Sequence, residues 1–118
     1  IGEVLLLGLS YKNDVDDFRD SHSIRIAEKL VERGVLVYVH DPFLGRNRYT
    51  QIPEPLSGKV RVVRDLDTAW RESPVVAILT NHSAYRNLPP KNSGVLIDTW
   101  GDFRSLCQGC KYVALIYA

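Results

Sequence analysis

Apolar positions along this chain fall into short unbroken runs, separated by polar stretches in which apolar residues return at helical spacing. Val4-Leu5-Leu6-Leu7 is continuous, as in a strand covered on both faces of a parallel sheet. After a polar loop, Ile24, Ala27, Leu30 and Val31 recur with helical period and Gly34 follows, which predicts an amphipathic helix with a glycine stop. Ser21 or Ser23 is placed to cap its start, because a short hydroxyl can accept from the free amides there. Val35–Val39 predicts a second strand, closed by Asp41-Pro42. Residues 3–40 thus read as one βαβ unit.

Residues 44–58, with Pro53 and Pro55 among Arg, Asn and Gln, read as a surface loop. Further on, the pattern predicts a short edge strand at Val60–Val63 and a helix at Asp65–Glu72 carrying Ala69 and Trp70 inward. A buried strand at Val75–Leu79, a helical turn at Ser83–Asn87 and strands at Val95–Ile97 and Val113–Tyr117 complete it. Strands alternating with helices give an α/β fold, an open, doubly wound, mostly parallel sheet of Rossmann-like type in three layers.

Composition narrows the class without choosing within it. The 118 residues are 45% apolar and 25% charged, sufficient for one domain with a core of its own. Fifteen basic and fourteen acidic residues leave a charge of +1, so no strong field for nucleic acid or an anionic membrane is expected. No apolar run approaches the roughly 20 residues of a membrane span, and a cytoplasmic location is expected. The chain contains no Met and opens at Ile1, close to its first strand, which suggests a domain excised from a longer polypeptide, with residues 1–118 as a single domain.

In open α/β sheets ligands bind beyond the carboxyl ends of the strands. Polar residues gather at four such ends: Leu9–Asp20, His40-Asp41, Thr80-Asn81-His82 and Asp98-Thr99-Trp100. A dinucleotide domain would carry G-x-G-x-x-G in the first of them, where backbone approaches a pyrophosphate at a helix start. Here Gly8 is followed by Leu9-Ser10-Tyr11-Lys12, so the fingerprint is missing. That loop instead concentrates Lys12, Asp14, Asp16, Asp17, Arg19 and Asp20. Its charges permit anion recognition by Lys12 and Arg19, a metal site at Asp14, Asp16 and Asp17, or a self-neutralised solvated loop. The metal reading lacks the glycine and distal glutamate of a calcium loop. A receiver-type phosphoacceptor fails on order, since Asp16-Asp17 come too long after the first strand.

The run from Gly8 to Ser21, Gly-Leu-Ser-Tyr-Lys, a spacer, then Asp-Asp-Phe-Arg-Asp-Ser, resembles the signature of the C-terminal domain of UDP-glucose/GDP-mannose dehydrogenases. Val39-His40-Asp41-Pro42-Phe43, Leu79–Tyr85 and Ile97-Asp98-Thr99 are similar, in the same order, to later elements of that family. The resemblance implies the UDP-sugar-binding domain of an NAD-dependent nucleotide-sugar 6-dehydrogenase, which oxidises the sugar C6 alcohol to a uronate. UDP-glucose, UDP-N-acetylhexosamine and GDP-mannose are all substrate types of the family, and the motifs lean toward the N-acetylhexosamine branch. It implies that NAD is bound mainly by an N-terminal domain, that a central helical region supplies catalytic groups, and that the whole enzyme is a homo-oligomer. On that resemblance Tyr11 lines the uridine or sugar pocket, Lys12 faces the nucleotide-sugar and Arg19 reaches the cofactor phosphates.

Two departures matter. Where the family often has Asp-x-Arg, this chain has Asp98-Thr99-Trp100, so the cationic contact is lost or replaced by stacking of Trp100 on a base. Ser21-His22-Ser23 stands where many members have Ser-Pro, and His22 is given no role. Cys107-Gln108-Gly109-Cys110 lacks the further ligands a zinc site needs; two separate, partly buried thiols in a reducing compartment are expected. His40 and His82 could each hydrogen-bond the sugar or a domain-interface carboxylate, although a lone histidine at a strand end is more often a satisfied structural group; Asp41 and Asp98 read as caps of neighbouring turns rather than ligand contacts. No catalytic residue and no metal ligand is assigned, and the isolated chain is expected to be inactive. The rival is a stand-alone nucleotide- or sugar-binding module without catalysis, which the Trp100 departure motivates.

Overall fold

The computed structural model describes residues 2–10, 21–44 and 52–115. Six strands are present among them: β1 (Glu3–Leu7), β2 (Leu36–His40), β3 (Arg61–Val62), β4 (Val75–Ile78), β5 (Val95–Asp98) and β6 (Lys111–Ala114). They form one sheet in the order β3-β2-β1-β4-β5-β6, and every pairing is parallel. Helix α1 (His22–Glu32) crosses from β1 to β2, and α2 (Leu66–Glu72) from β3 to β4.

Alternation along β1 explains the layers, since successive side chains of a strand face opposite ways. Val4 and Leu6 join Ile24 and Ala27 of α1, with Val37, Val39 and Leu56, in one core. Leu5 and Leu7 join Trp70 of α2, with Val76, Ile78, Tyr85, Leu96 and Phe103, in the other. Both sides of the central strands are therefore dry, which is why they read as unbroken apolar runs. Ser21 caps α1 by accepting from the Ser23 amide at 3.2 Å, and Gly34 follows its end at φ 83°, both as the sequence predicts.

Three local expectations are corrected. The region read as surface loop contains a 3-10 turn at Glu54–Leu56, and its Leu56 is fully buried beneath α1. Polar neighbours hide a single apolar anchor of that kind. The last strand runs Lys111–Ala114 and so begins two residues before the expected Val113, while Ile116 and Tyr117 of the expected strand lie outside the described residues. Its start is set by Lys111 N–H donating to Gly94 O and by register with β5, not by an apolar run, because an edge strand is only half covered. Cys107 and Cys110 are joined as a disulfide instead of being separate thiols.

Candidate functional site

Strand order defines the place. The chain leaves β1 toward β2 on one side, while β4 lies on the other, so the topological switch point is the carboxyl edge between β1 and β4. Gly8 makes this junction possible. Its φ is +99°, and a Cβ there would sit 2.5 Å from Thr80 Cβ, so β1 and β4 approach closely only with glycine at this position.

Three strand ends are tied together around that point by one carboxylate. Asp41 Oδ2 accepts from the Leu9 amide (2.8 Å), the Ser10 amide (3.0 Å) and the Ser10 hydroxyl (2.8 Å). It also lies 2.9 Å from His82 Nε2, in a pair whose side chains are wholly buried. Asp41 Oδ1 accepts from the Phe43 amide. Because this oxygen can only accept, the His82 proton sits on Nε2. Burial opposes ionisation of Asp41, but the His82 hydrogen bond and charge, with the Phe43 and Leu9 amides, outweigh it and hold the carboxyl below its usual value.

A second polar chain runs beside it. Tyr85 donates its hydroxyl to His40 O at 3.1 Å, and His40 Nδ1 donates to the Tyr85 oxygen at 3.0 Å. Burial, with the Asp41 charge next, pushes the Tyr85 phenol well above its usual value, so it stays protonated. Burial holds the His40 imidazole below its usual value; the Asp41 charge opposes this and His82 adds to it. The rings of Phe43, His82 and Tyr85 meet edge to face at 5.5 and 5.7 Å.

Asp98 does at β5 what Asp41 does at β2. It accepts from the Trp100, Gly101 and Phe103 amides and from the Tyr112 hydroxyl, at 2.7 to 2.9 Å. Burial first, then this bond to Asp98, pushes the Tyr112 phenol up to about 12. Both aspartates thus act as turn caps, as expected from the sequence, and the turn at Asp98 presents Trp100. The Trp100 indole N–H donates to Leu79 O at 3.0 Å, which fixes its orientation while leaving 43% of the residue exposed. Beside the end of β4, Asn81 Nδ2 and Arg86 both reach Asp102 Oδ2, at 3.2 and 3.3 Å.

The structure therefore places Trp100, His40, Asp41, His82 and Asp98 on one edge. Tyr11, Lys12 and Arg19 lie outside the described residues, between Ser10 and Ser21, which are both described. Those two residues meet: Ser21 Oγ donates to Ser10 O at 3.4 Å, and Thr80 Oγ1 donates to the same oxygen at 3.1 Å. The segment carrying the three candidates is thus rooted at the switch point at both ends. At the ends of β2 and β3 a cleft of about 400 Å³ opens, lined in part by His40, Pro42, Ile52 and Arg64. No cluster of metal-ligating side chains occurs among the described residues.

Lys91 carries no signal of its role in the sequence. It is buried, and its ammonium donates to Trp70 O (2.7 Å) and Ser73 O (2.9 Å) at the end of α2. Burial holds it below the usual lysine value. Lys91 starts no strand and neighbours Pro90, so only its tertiary partners reveal it.

Comparison with known proteins agrees with this geometry. The sequence matches the UDP binding domain of the UDP-glucose/GDP-mannose dehydrogenase family over residues 5–104. It is 26% identical over 104 residues to a UDP-N-acetyl-D-mannosamine dehydrogenase of Yersinia pestis, covering 86% of this chain and 24% of that protein. It is 31% identical to the enzyme of the same name from Methanocaldococcus jannaschii, covering 74% of this chain and 18% of that one. Among solved structures, a UDP-glucose dehydrogenase from Pyrobaculum islandicum superposes with a TM-score of 0.77 at 29% identity, covering 99% of this chain and 26% of that one. The chain thus spans about a quarter or less of the length of these relatives.

Proposed function

This chain belongs to the UDP-glucose/GDP-mannose dehydrogenase family, matching its UDP binding domain, and on that premise we propose that it holds the nucleotide of a UDP-sugar for an NAD-dependent 6-dehydrogenase. In this reading residues 1–118 are one domain of a longer enzyme, whose reaction takes the sugar C6 alcohol to a uronate. The observation that carries it is the meeting of Ser21 and Thr80 on Ser10 O, with Trp100 bonded to Leu79 O on the same carboxyl edge of the sheet, where such sheets take ligands. In this reading Lys12 faces the nucleotide-sugar, Tyr11 lines the uridine or sugar pocket and Arg19 reaches the cofactor phosphates. Guanidinium forks suit phosphate, and an ammonium on a flexible stem suits a mobile contact. Trp100 supplies a ring face on which a base stacks.

NAD itself does not fit the described residues. Gly8 is packed against Thr80 rather than open to a pyrophosphate, and the first cap of α1 is already filled by Ser21. In the proposed enzyme NAD is held mainly by another domain, and no step of hydride chemistry is assigned to this chain. The described residues contribute binding and orientation: two buried carboxylates fix the turns, and the turns aim the ligand-facing groups. Calorimetric titration of the chain with UDP tests this reading. Weak saturable binding is expected, since one wall of the pocket belongs to other domains; absence of any heat up to millimolar UDP contradicts it. With NAD and a UDP-sugar the chain alone is expected to form no NADH.

A further inference from the structure

Asp41 follows β2, Ser10 follows β1 and His82 follows β4, so the Asp41–His82 pair spans the central strand of the sheet. Such a buried pair is weak evidence for stability, because desolvation of the two groups consumes most of their attraction, and apolar residues of similar volume often serve as well. What an apolar replacement cannot do is gather the Leu9 and Ser10 amides and the Ser10 hydroxyl onto a single oxygen. Ser10 O is held in turn by Thr80 and Ser21. Every polar group of Ser10 is thereby committed, and the residue is 2% exposed. Without the His82 N–H, the carboxylate loses its partner from β4 and is free to follow β2 alone.

We propose that His82 is a positioning residue: through Asp41 it fixes the backbone at Ser10, where the segment 11–20 leaves the sheet, and so sets how tightly a nucleoside diphosphate is held at this edge. His82 touches no ligand in this scheme; its effect on the edge passes through Asp41 and Ser10. The affinity part rests on the functional reading above, whereas the fixing of Ser10 does not.

The test uses the 118-residue chain and UDP as the probe, with His82→Leu to remove the N–H and His82→Gln to restore an amide N–H at similar reach. Dissociation constants are measured at a temperature where thermal denaturation shows each variant fully folded, alongside the amide spectrum of Ser10. The expected result for His82→Leu is a UDP dissociation constant raised about tenfold, from loss of one hydrogen bond to a charged group, with the Ser10 amide displaced. His82→Gln is expected to return both to within about twofold of the parent. A folded His82→Leu variant that binds UDP as the parent does overturns the proposal, whatever its melting temperature. If that variant does not fold, His82→Asn, too short to reach Asp41, takes its place in the same comparison. If the parent chain binds no UDP, the functional reading falls, and the Ser10 amide alone decides: an unmoved signal in His82→Leu overturns the positioning claim as well, and a displaced one sustains the fixing of Ser10.

Discussion

Trp100 is held by one hydrogen bond from its indole edge and packs into neither core. Removing it therefore acts on binding rather than folding. Trp100→Ala is expected to leave the melting temperature nearly unchanged and to weaken UDP binding about tenfold, a typical loss for one base–aromatic stack. An unaltered dissociation constant would show that the ring takes no part. His40 and Asp41 give the molecule an acid response. A base held below its usual 6.5, as His40 is, binds fewer protons folded than unfolded. Its contribution is thus complete above pH 6.5 and is lost as the pH falls through that value toward the lowered one. Asp41 is held below 3.8 and adds a second loss as the pH falls under 3.8. Urea midpoints measured across this range should decline in those two steps; a midpoint that is level from about pH 7 to 5 contradicts the first.

Elements buried on both faces were the legible ones. β1, β2, β4 and β5 are apolar runs because α1 covers one side and α2 with its following turns covers the other. Edge elements were less so: β3 is two residues long and exposed, and β6 begins at an exposed Lys111, two residues before the apolar signal. Turn caps were readable in kind, since an aspartate at a strand end has few other local uses, as Asp41 and Asp98 show. The Asp41–His82 pair was not, because its members are 41 residues apart and meet only through strand order. Lys91 was invisible for the same reason: it satisfies the end of α2 from 21 residues away. Lys91→Met leaves the Trp70 and Ser73 carbonyls without this donor, at a cost of about 1–3 kcal/mol. Chemical denaturation should report that loss, while UDP affinity, set at the other edge, stays as it was.

At the scale of the whole molecule the two edges of the sheet divide the labour. The carboxyl edge gathers the roots of segment 11–20, the Asp41 and Asp98 turns and Trp100. The opposite edge carries Lys91 and the loop of the Cys107–Cys110 disulfide, tied by the Gln108 and Gly109 amides donating to Lys91 O. A binding domain built this way presents ligand groups on one side and spends the other on its own integrity. The most direct test of that division is an amide NMR titration of the chain with UDP. Shifts are expected to concentrate at Ser10, Asn81 and Trp100 and in the segment after Ser10, while Lys91, Gln108 and Gly109 stay silent. Shifts confined to the Lys91 edge, or none at saturating UDP, would contradict it.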